Sequence, residues 1–391
     1  MSQPYASGTL FLVNPIPIAI GLIGPRGFGT FCAEAYKEGT AGQVIAFAGR
    51  DPAVLAAAAR QCGVAKTYND WREMLRDPAI ELVHIVTPPD KHAEMAVAAL
   101  EAGKHVFVEK PLATTNADAQ AILAAARKSG KIAGVNFVMR YNPLYQAVQT
   151  ITRAGWLGAL THVGFENYAS DEGLGDRHWF WDPIASGGIL IEHGVHFFDI
   201  IGAVADSPAR DISGRTWTRA DGTGKEDRVQ SLVTYENGVE ASFYHAFNRP
   251  GALEKQMAHF AFQRGHLTLH GWIPTTLDLT AVVDEAGFAG LEGLLAVETA
   301  DTDEFGPFGR RIRGNGHEFF VSRRISAHLS LGDPTPAYRT AVQAALADMS
   351  AAIRNPSHIR RVTAEDGAES LRVAVAARDS AHAAQSGHSS V

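Results

Sequence analysis

The chain has 391 residues, too long for one ordinary hydrophobic core and suited to about two domains. Its 46% hydrophobic and 20% charged content is that of a soluble globular protein, and a formal net charge of −7 argues against a nucleic-acid partner, which usually meets a basic face. Cys32 and Cys62 are too few for a disulfide framework and point to a reducing cytoplasm; no apolar run reaches the ~20 residues that span a bilayer, so no membrane is expected.

Residues 1–14 read as a tail. From Ile16 short apolar strands alternate with Ala-rich helices, the pattern of a doubly wound parallel sheet, which predicts a Rossmann domain over 15–141. Strand Ile18–Ile23 runs into Gly24-Pro25-Arg26-Gly27-Phe28-Gly29 and a helix to about Glu38. Strand Val44–Ala48 ends at Gly49-Arg50-Asp51-Pro52, followed by a helix over Ala53–Gln61. Strand Leu82–Val86 closes on Thr87-Pro88-Pro89-Asp90; the helix after it, from His92 to Ala102, is stopped by Gly103. Strand His105–Val108 delivers Glu109-Lys110-Pro111, and helix Ala117–Lys128 with strand Ile132–Phe137 completes the unit.

After Pro143 the texture changes. A helix over Leu144–Arg153 leads to strands with looser loops, and Asn237-Gly238 between two strand-like runs is the sharpest hairpin signal in the chain. Further strand-like runs (Ala258–Phe262, His266–His270, Leu277–Val283) predict an α+β domain over 142–391 with a broad, largely antiparallel sheet. Residues 303–316, Gly- and Arg-rich without periodicity, read as a surface loop. Helices over Pro336–Arg354 and Ala364–His382 close the chain.

Gly24, Arg26, Gly27, Phe28 and Gly29 follow a strand and open a helix, whose N-terminal N–H groups and dipole favour a pyrophosphate. Arg26 stands where Gly-x-Gly-x-x-Gly has its middle glycine, and Gly27 is the neighbour able to supply the close approach. At the end of the second strand a NAD enzyme usually places an acid on the ribose hydroxyls; here stand Gly49 and Arg50, which suit a 2′-phosphate and favour NADP(H), with NAD(H) kept open by Asp51. Lys110 sits at the carboxyl end of a parallel strand, the edge where a bound dinucleotide meets its substrate.

Residues 186–199, Ser-Gly-Gly-Ile-Leu-Ile-Glu-His-Gly-Val-His-Phe-Phe-Asp, read as one helix with Glu192 and His196 on one face. A carboxylate one turn before an imidazole can orient it as a base, while a nearby ammonium stabilises an alkoxide. Glu192, His193 and His196 make a poor metal site, since His193 sits on another face and no further ligand is evident; no metal is expected. An interior, satisfied His196 stays open as the alternative.

Together these residues resemble the glucose–fructose oxidoreductase and inositol dehydrogenase (Gfo/Idh/MocA-like) family. The resemblance rests on the strand–Gly loop, Thr87-Pro88-Pro89 with His92, Glu109-Lys110-Pro111, Arg140 after Val135–Val138, and Gly187-Gly188…Glu192-x-x-x-His196-x-x-Asp199, and spans about residues 16 to 383. It implies a Rossmann domain, a C-terminal α/β domain, homo-oligomers (dimer or tetramer) packed through the broad sheet, and a Lys–acid–His arrangement on Lys110, Glu192 and His196. The family's acid is commonly aspartate; Glu192 departs from that by one methylene. Gly24, Arg26, Gly27, Phe28, Gly29, Gly49, Arg50, Thr87, Pro88, Pro89, His92, Glu109 and Lys110 are the cofactor-binding candidates.

Arg140, Tyr141, His178, Trp179, Trp181 and His196 are the substrate-facing candidates, with Asn142 beside Tyr141 and with Asn248 and Arg249 after strand Ala241–Phe247 as further ones. Tryptophans beside Arg, His and Asp suit a carbohydrate-like small molecule, and equally a buried domain junction. The expected activity is a cytoplasmic NAD(P)-dependent oxidoreductase acting on a secondary hydroxyl or ketone of a sugar, polyol or related ring compound. Two alternatives stand beside it: a glycoside-cleaving enzyme that uses a tightly held cofactor by transient oxidation and elimination, and a catalytically inactive NAD(P)-binding regulator.

Overall fold

The structure, a computed structural model, describes residues 17–388 apart from Asn315. The expected tail at 1–14 lies outside the described residues. Five βα steps build the first sheet: β1 (Ile18–Ile23), α1 (Phe28–Glu38), β2 (Gly42–Ala48), α2 (Pro52–Cys62), β3 (Lys66–Tyr68), α3 (Trp71–Met74), β4 (Leu82–Ile85), α4 (His92–Glu101), β5 (His105–Val108), α5 (Asn116–Ser129) and β6 (Ala133–Val135). The strands are short and apolar because helices cover both faces, and β1, β4 and β6 are buried almost throughout. All pairs are parallel in the order β3-β2-β1-β4-β5-β6. The order reverses between β1 and β4, so the crevice for a ligand lies above their carboxyl ends.

Asn142 caps α6 (Pro143–Ala154), accepting from the N–H groups of Leu144 and Tyr145, and the chain passes to a second sheet through β7 (Leu160–Ser170). Three helices follow, α7 (Pro183–Ser186), α8 (Ile189–Glu192) and α9 (Val195–Ala205), then β8 (Ala209–Thr218), β9 (Glu226–Tyr235), β10 (Glu240–Arg249), β11 (Lys255–Phe262), β12 (Gly265–His270) and β13 (Thr276–Val283). The rest is α10 (Glu285–Leu294), β14 (Val297–Asp301), β15 (Arg310–Gly314), β16 (His317–Val321), β17 (Arg323–Ser330), α11 (Pro334–Arg354) and α12 (Ala364–His388). Nine strands form one sheet, antiparallel except where β10 runs beside β7. The predicted Asn237-Gly238 turn joins β9 to β10, with Gly238 at φ 86°.

Two expectations are corrected. Residues 303–316 are not all loop, because β15 pairs with β16 as a separate hairpin. Residues 186–199 are not one helix: α8 ends at Glu192 and α9 starts at Val195. The chain is pinched at Gly194, where a Cβ would lie 2.4 Å from the Leu190 carbonyl oxygen and 3.0 Å from the Phe198 ring. Nine of the eleven residues of α9 are buried, with Phe197 stacked on Phe165 of β7 at 3.7 Å between ring centroids. The stretch Pro183–Ala205 is long and apolar enough to cross a membrane, yet 78% of its most apolar window is buried inside the protein. Helices α11 and α12 return to the first sheet, where Ser350 donates to the Ala41 carbonyl and Arg360 to the Ala133 carbonyl.

Candidate active site

Two adjoining cavities run along the carboxyl ends of the first sheet. One, of about 940 Å³, is lined by Gly24, Arg26, Gly49, Arg50, Asp51, Thr87 and Pro88; Trp71, Arg72 and Lys91 add walls the sequence did not flag. The other, of about 540 Å³, shares Arg26, Val86, Thr87 and Pro88 with it and continues past Gly27, Phe28, Pro89, Glu109 and Lys110 to His178, Trp179, Glu192 and His196.

The glycines divide the work of the loop. Gly24 turns at φ 90°, and a Cβ there would meet the Val86 carbonyl oxygen at 2.0 Å. A Cβ on Gly29 would lie 2.3 Å from the Gly24 carbonyl oxygen; Gly29 lets the helix pack under the loop and lines neither cavity, so it does not touch the cofactor as the sequence led us to expect. Gly27, at φ 46°, has open space where a side chain would be, and α1 begins there with no side-chain cap. An open helix N-terminus beside a long cleft fits a dinucleotide pyrophosphate. The second-strand acid is occupied: Asp51 caps α2 through the N–H groups of Ala53 and Val54 and pairs with Arg26 at 3.0 Å.

Lys110 projects from the end of β5 towards the second domain. Its Nζ donates to Oε1 of Glu192 at 2.5 Å and to the Glu192 carbonyl at 2.9 Å. Glu192 was expected to orient His196; its carboxylate instead holds Lys110, because the break after α8 takes Glu192 and His196 off a common helix face. His196 lines the cleft with its Nδ1 buried and without a hydrogen-bond partner, and Trp272 stands edge-on to its ring at 5.3 Å. Burial, with Lys110 adding to it, holds this imidazole well below the ordinary histidine range, so it is neutral near pH 7. Glu109 is anchored from beneath: Asn136 donates to its Oε1 at 2.7 Å, and His84 Nε2 lies 3.1 Å from the same oxygen. Cys32, His84 and Glu109 bring their donor atoms within 4.8 Å of one another, a group of metal-ligand types that no spacing in the sequence suggested.

Several expected contacts lie elsewhere. His92 is fully buried, its ring nitrogens 2.7 Å and 2.9 Å from the carbonyls of Pro111 and Thr87, so it ties two strand-end loops together and does not face the cavities. Arg140 turns to Asp199, donating twice at 2.7 Å; burial lifts that carboxyl to about 6 while the guanidinium opposes the rise. Tyr141 donates to Asp348, and burial and that carboxylate push its phenol well above the ordinary range. Trp181 packs against Phe180 and under Arg219, beside a separate groove. Of the substrate-facing candidates, His178, Trp179 and His196 line the cleft. Trp272 and Tyr338 line it too and were missed. Trp272 follows β12 in Gly271-Trp272-Ile273-Pro274, a turn-rich strand end that was a usable signal; Tyr338 lies in α11 and has no local one.

A doubly wound domain with an open phosphate loop and a lysine at a strand end, closed over by a second domain that brings a carboxylate to that lysine and a neutral imidazole beside it, defines a nicotinamide-dependent oxidoreductase. Residues 18–137 match the oxidoreductase family with an NAD-binding Rossmann fold, and residues 145–268 match the GFO/IDH/MocA C-terminal domain; the chain belongs to this family. It is 30% identical over 230 residues to the 1,5-anhydro-D-fructose reductase of Ensifer adhaerens, covering 58% of this chain and 68% of that one. It is also 30% identical over 269 residues to the levoglucosan dehydrogenase of Pseudarthrobacter phenanthrenivorans, covering 59% and 68%. The fold of an oxidoreductase domain protein from Kribbella flavida superposes with a TM-score of 0.75 at 24% identity, over 94% of this chain and 97% of that one.

Proposed function

We propose that the protein transfers hydride between a nicotinamide cofactor, with NADP(H) favoured, and a secondary hydroxyl or ketone of a sugar, polyol or related ring compound. The observation that carries this reading is the meeting of Lys110, Glu192 and His196 in a cleft continuous with the phosphate loop. The cofactor would be held by the loop from Gly24 to Phe28, by Gly49 and Arg50, and by Thr87, Pro88 and Pro89. When bound, it takes or gives the hydride at the carbinol carbon. His196, neutral at pH 7, accepts the hydroxyl proton at its cleft-facing nitrogen, and the Lys110 ammonium stabilises the alkoxide. Glu192 keeps that ammonium in place, and Trp179 and Trp272 offer ring faces to C–H surfaces of the substrate.

NADP(H) is favoured because Asp51 is spent on the α2 cap and on Arg26, while Arg50, Arg72 and Lys91 border the same cavity. Among the relatives named above, one is a 1,5-anhydro-D-fructose reductase and the other a levoglucosan dehydrogenase, which supports a carbohydrate-like substrate. A cytoplasmic homo-oligomer is part of the proposal: Leu232 and Trp217 leave apolar surface on the nine-stranded sheet away from α9 and α12, at 54% and 39% exposure.

The test is nicotinamide absorbance on mixing the protein with NADP+ or NAD+ and a panel of polyols, sugars and simple glycosides. A continuing rise that Lys110→Met lowers by more than about tenfold, worth ~1.4 kcal/mol of barrier, is expected. Cleaved glycoside without net cofactor reduction would instead mean redox-assisted elimination, and cofactor binding with no chemistry would mean a regulator.

A further inference from the structure

Behind His196 lies a second set of imidazoles that the reaction as proposed does not use. Asn167 of β7 and His245 of β10 sit directly opposite each other on adjacent strands, on the sheet face covered by α9. His193, in the break between α8 and α9, meets His245 edge to face at 5.1 Å between centroids and stacks on Trp272 at 4.8 Å; Trp272 in turn abuts His196. All four polar residues are at least nine-tenths buried. Six of their polar atoms have no hydrogen-bond partner among the described residues: both amide atoms of Asn167, both nitrogens of His245, Nε2 of His193 and Nδ1 of His196.

Buried polar groups in folded proteins are almost always satisfied, and so many dry atoms in one layer would consume a large share of a domain's stability. Burial holds His193, His196 and His245 neutral, so each ring offers one donor and one acceptor, and Asn167 offers both kinds. Water can satisfy such a mixed set, since it donates and accepts and needs two to four polar partners. The chemistry of His196 makes this set matter. A base presenting its cleft-facing nitrogen must carry its proton on Nδ1, and a buried Nδ1–H needs an acceptor that Glu192, committed to Lys110, does not supply.

We propose that Asn167, His193 and His245 enclose a buried chain of ordered water that accepts the Nδ1–H of His196, making these three positioning residues for the imidazole that faces the substrate. The proposal rests on the oxidoreductase reading only for its kinetic consequence; the water itself does not.

A crystal structure of the cofactor-free protein, at a resolution that shows ordered water, is expected to place a water within hydrogen-bond reach of His196 Nδ1 and others bridging to Asn167 and His245. Filling the layer with apolar residues of similar size, Asn167→Leu with His245→Phe, removes the orphaned atoms together with the water. Thermal stability should hold or rise, while kcat falls by about tenfold or more and KM and cofactor affinity stay within about threefold. His245→Gln, which keeps a donor and an acceptor, should recover kcat to within about threefold of wild type. The ¹⁵N shifts of His196 should report the Nδ1–H tautomer in wild type and its loss in the filled variant. A dry layer in the crystal overturns the proposal whatever substrate is found, as does a filled variant that keeps its turnover and its His196 tautomer. If no substrate in the panel turns over, the oxidoreductase reading fails, and crystal and tautomer still decide the water.

Discussion

Glu192→Gln removes the charge that faces Lys110 and leaves the shape intact. At 2.5 Å the pair attracts with about 2 kcal/mol in a water-like medium and about 7 kcal/mol at an effective dielectric near 20. The side chains are 18% and 11% exposed, so the medium lies nearer the second figure, and desolvation takes back much of the attraction. Losing one partner strands an ammonium in a cleft, which should lower folding stability by about 2–4 kcal/mol. Lys110→Met should cost a similar amount, because it strands the carboxylate. The double variant strands nothing, so it should be more stable than the sum of the single losses by about 1–3 kcal/mol. Urea unfolding of the four proteins, cofactor-free at pH 7.5, measures this coupling. A parallel cycle of Glu192→Gln with His196→Gln should be additive within about 0.5 kcal/mol. Additivity in the first cycle together with coupling in the second would return Glu192 to the imidazole and undo the assignment made from the structure.

Arg50→Ala should lower kcat/KM with NADP+ by about tenfold or more, through loss of a charge-assisted contact, and leave the value with NAD+ within about threefold; equal losses would remove Arg50 from cofactor choice. Arg140→Leu leaves the Asp199 carboxylate buried beside Asp366 alone, which should cost about 3–5 kcal/mol in urea unfolding with KM nearly unchanged. A large rise in KM with stability intact would put Arg140 back in the site. Burial depresses His193, His196 and His245, the last to about 3, so below pH 6.5 the unfolded chain takes up protons that the folded chain refuses. Stability therefore falls as pH drops, by about 1.4 kcal/mol per unit for each ring and up to about 4 kcal/mol at pH 5.5 for the three. Urea midpoints at pH 7.5 and 5.5 check this, and His245→Phe should shrink the difference.

The parts of the protein written in local pattern were readable beforehand. Alternating apolar strands and Ala-rich helices announce the first sheet, and the glycine loop, Lys110 and the Asn237-Gly238 turn stand where their neighbours in sequence put them. Helical spacing misled at Glu192 and His196, because the pinch at Gly194 is imposed by the approach of Leu190 and Phe198, which a period of 3.6 residues does not record. His92 and Arg140 stand among the motifs that carry the family resemblance, with Tyr141 next to Arg140, yet their partners, Pro111, Asp199 and Asp348, are set by how loops and helices close on each other. Trp272 and Tyr338 reach the cleft only through the second domain's return, and no neighbour in sequence marks Tyr338.

That return has a temporal side. Tyr338 of α11 stacks on Phe28 and Phe31 at 5.8 Å and 5.4 Å, and Gln343 donates to the Ala35 carbonyl, so the wall of the phosphate loop is finished by a helix from the far end of the chain. A ribosome adding ~5–20 residues per second needs roughly 15–60 s to travel from the loop to that tyrosine. During that interval the nascent first domain shows Phe28 and Phe31 to the cell without their cover.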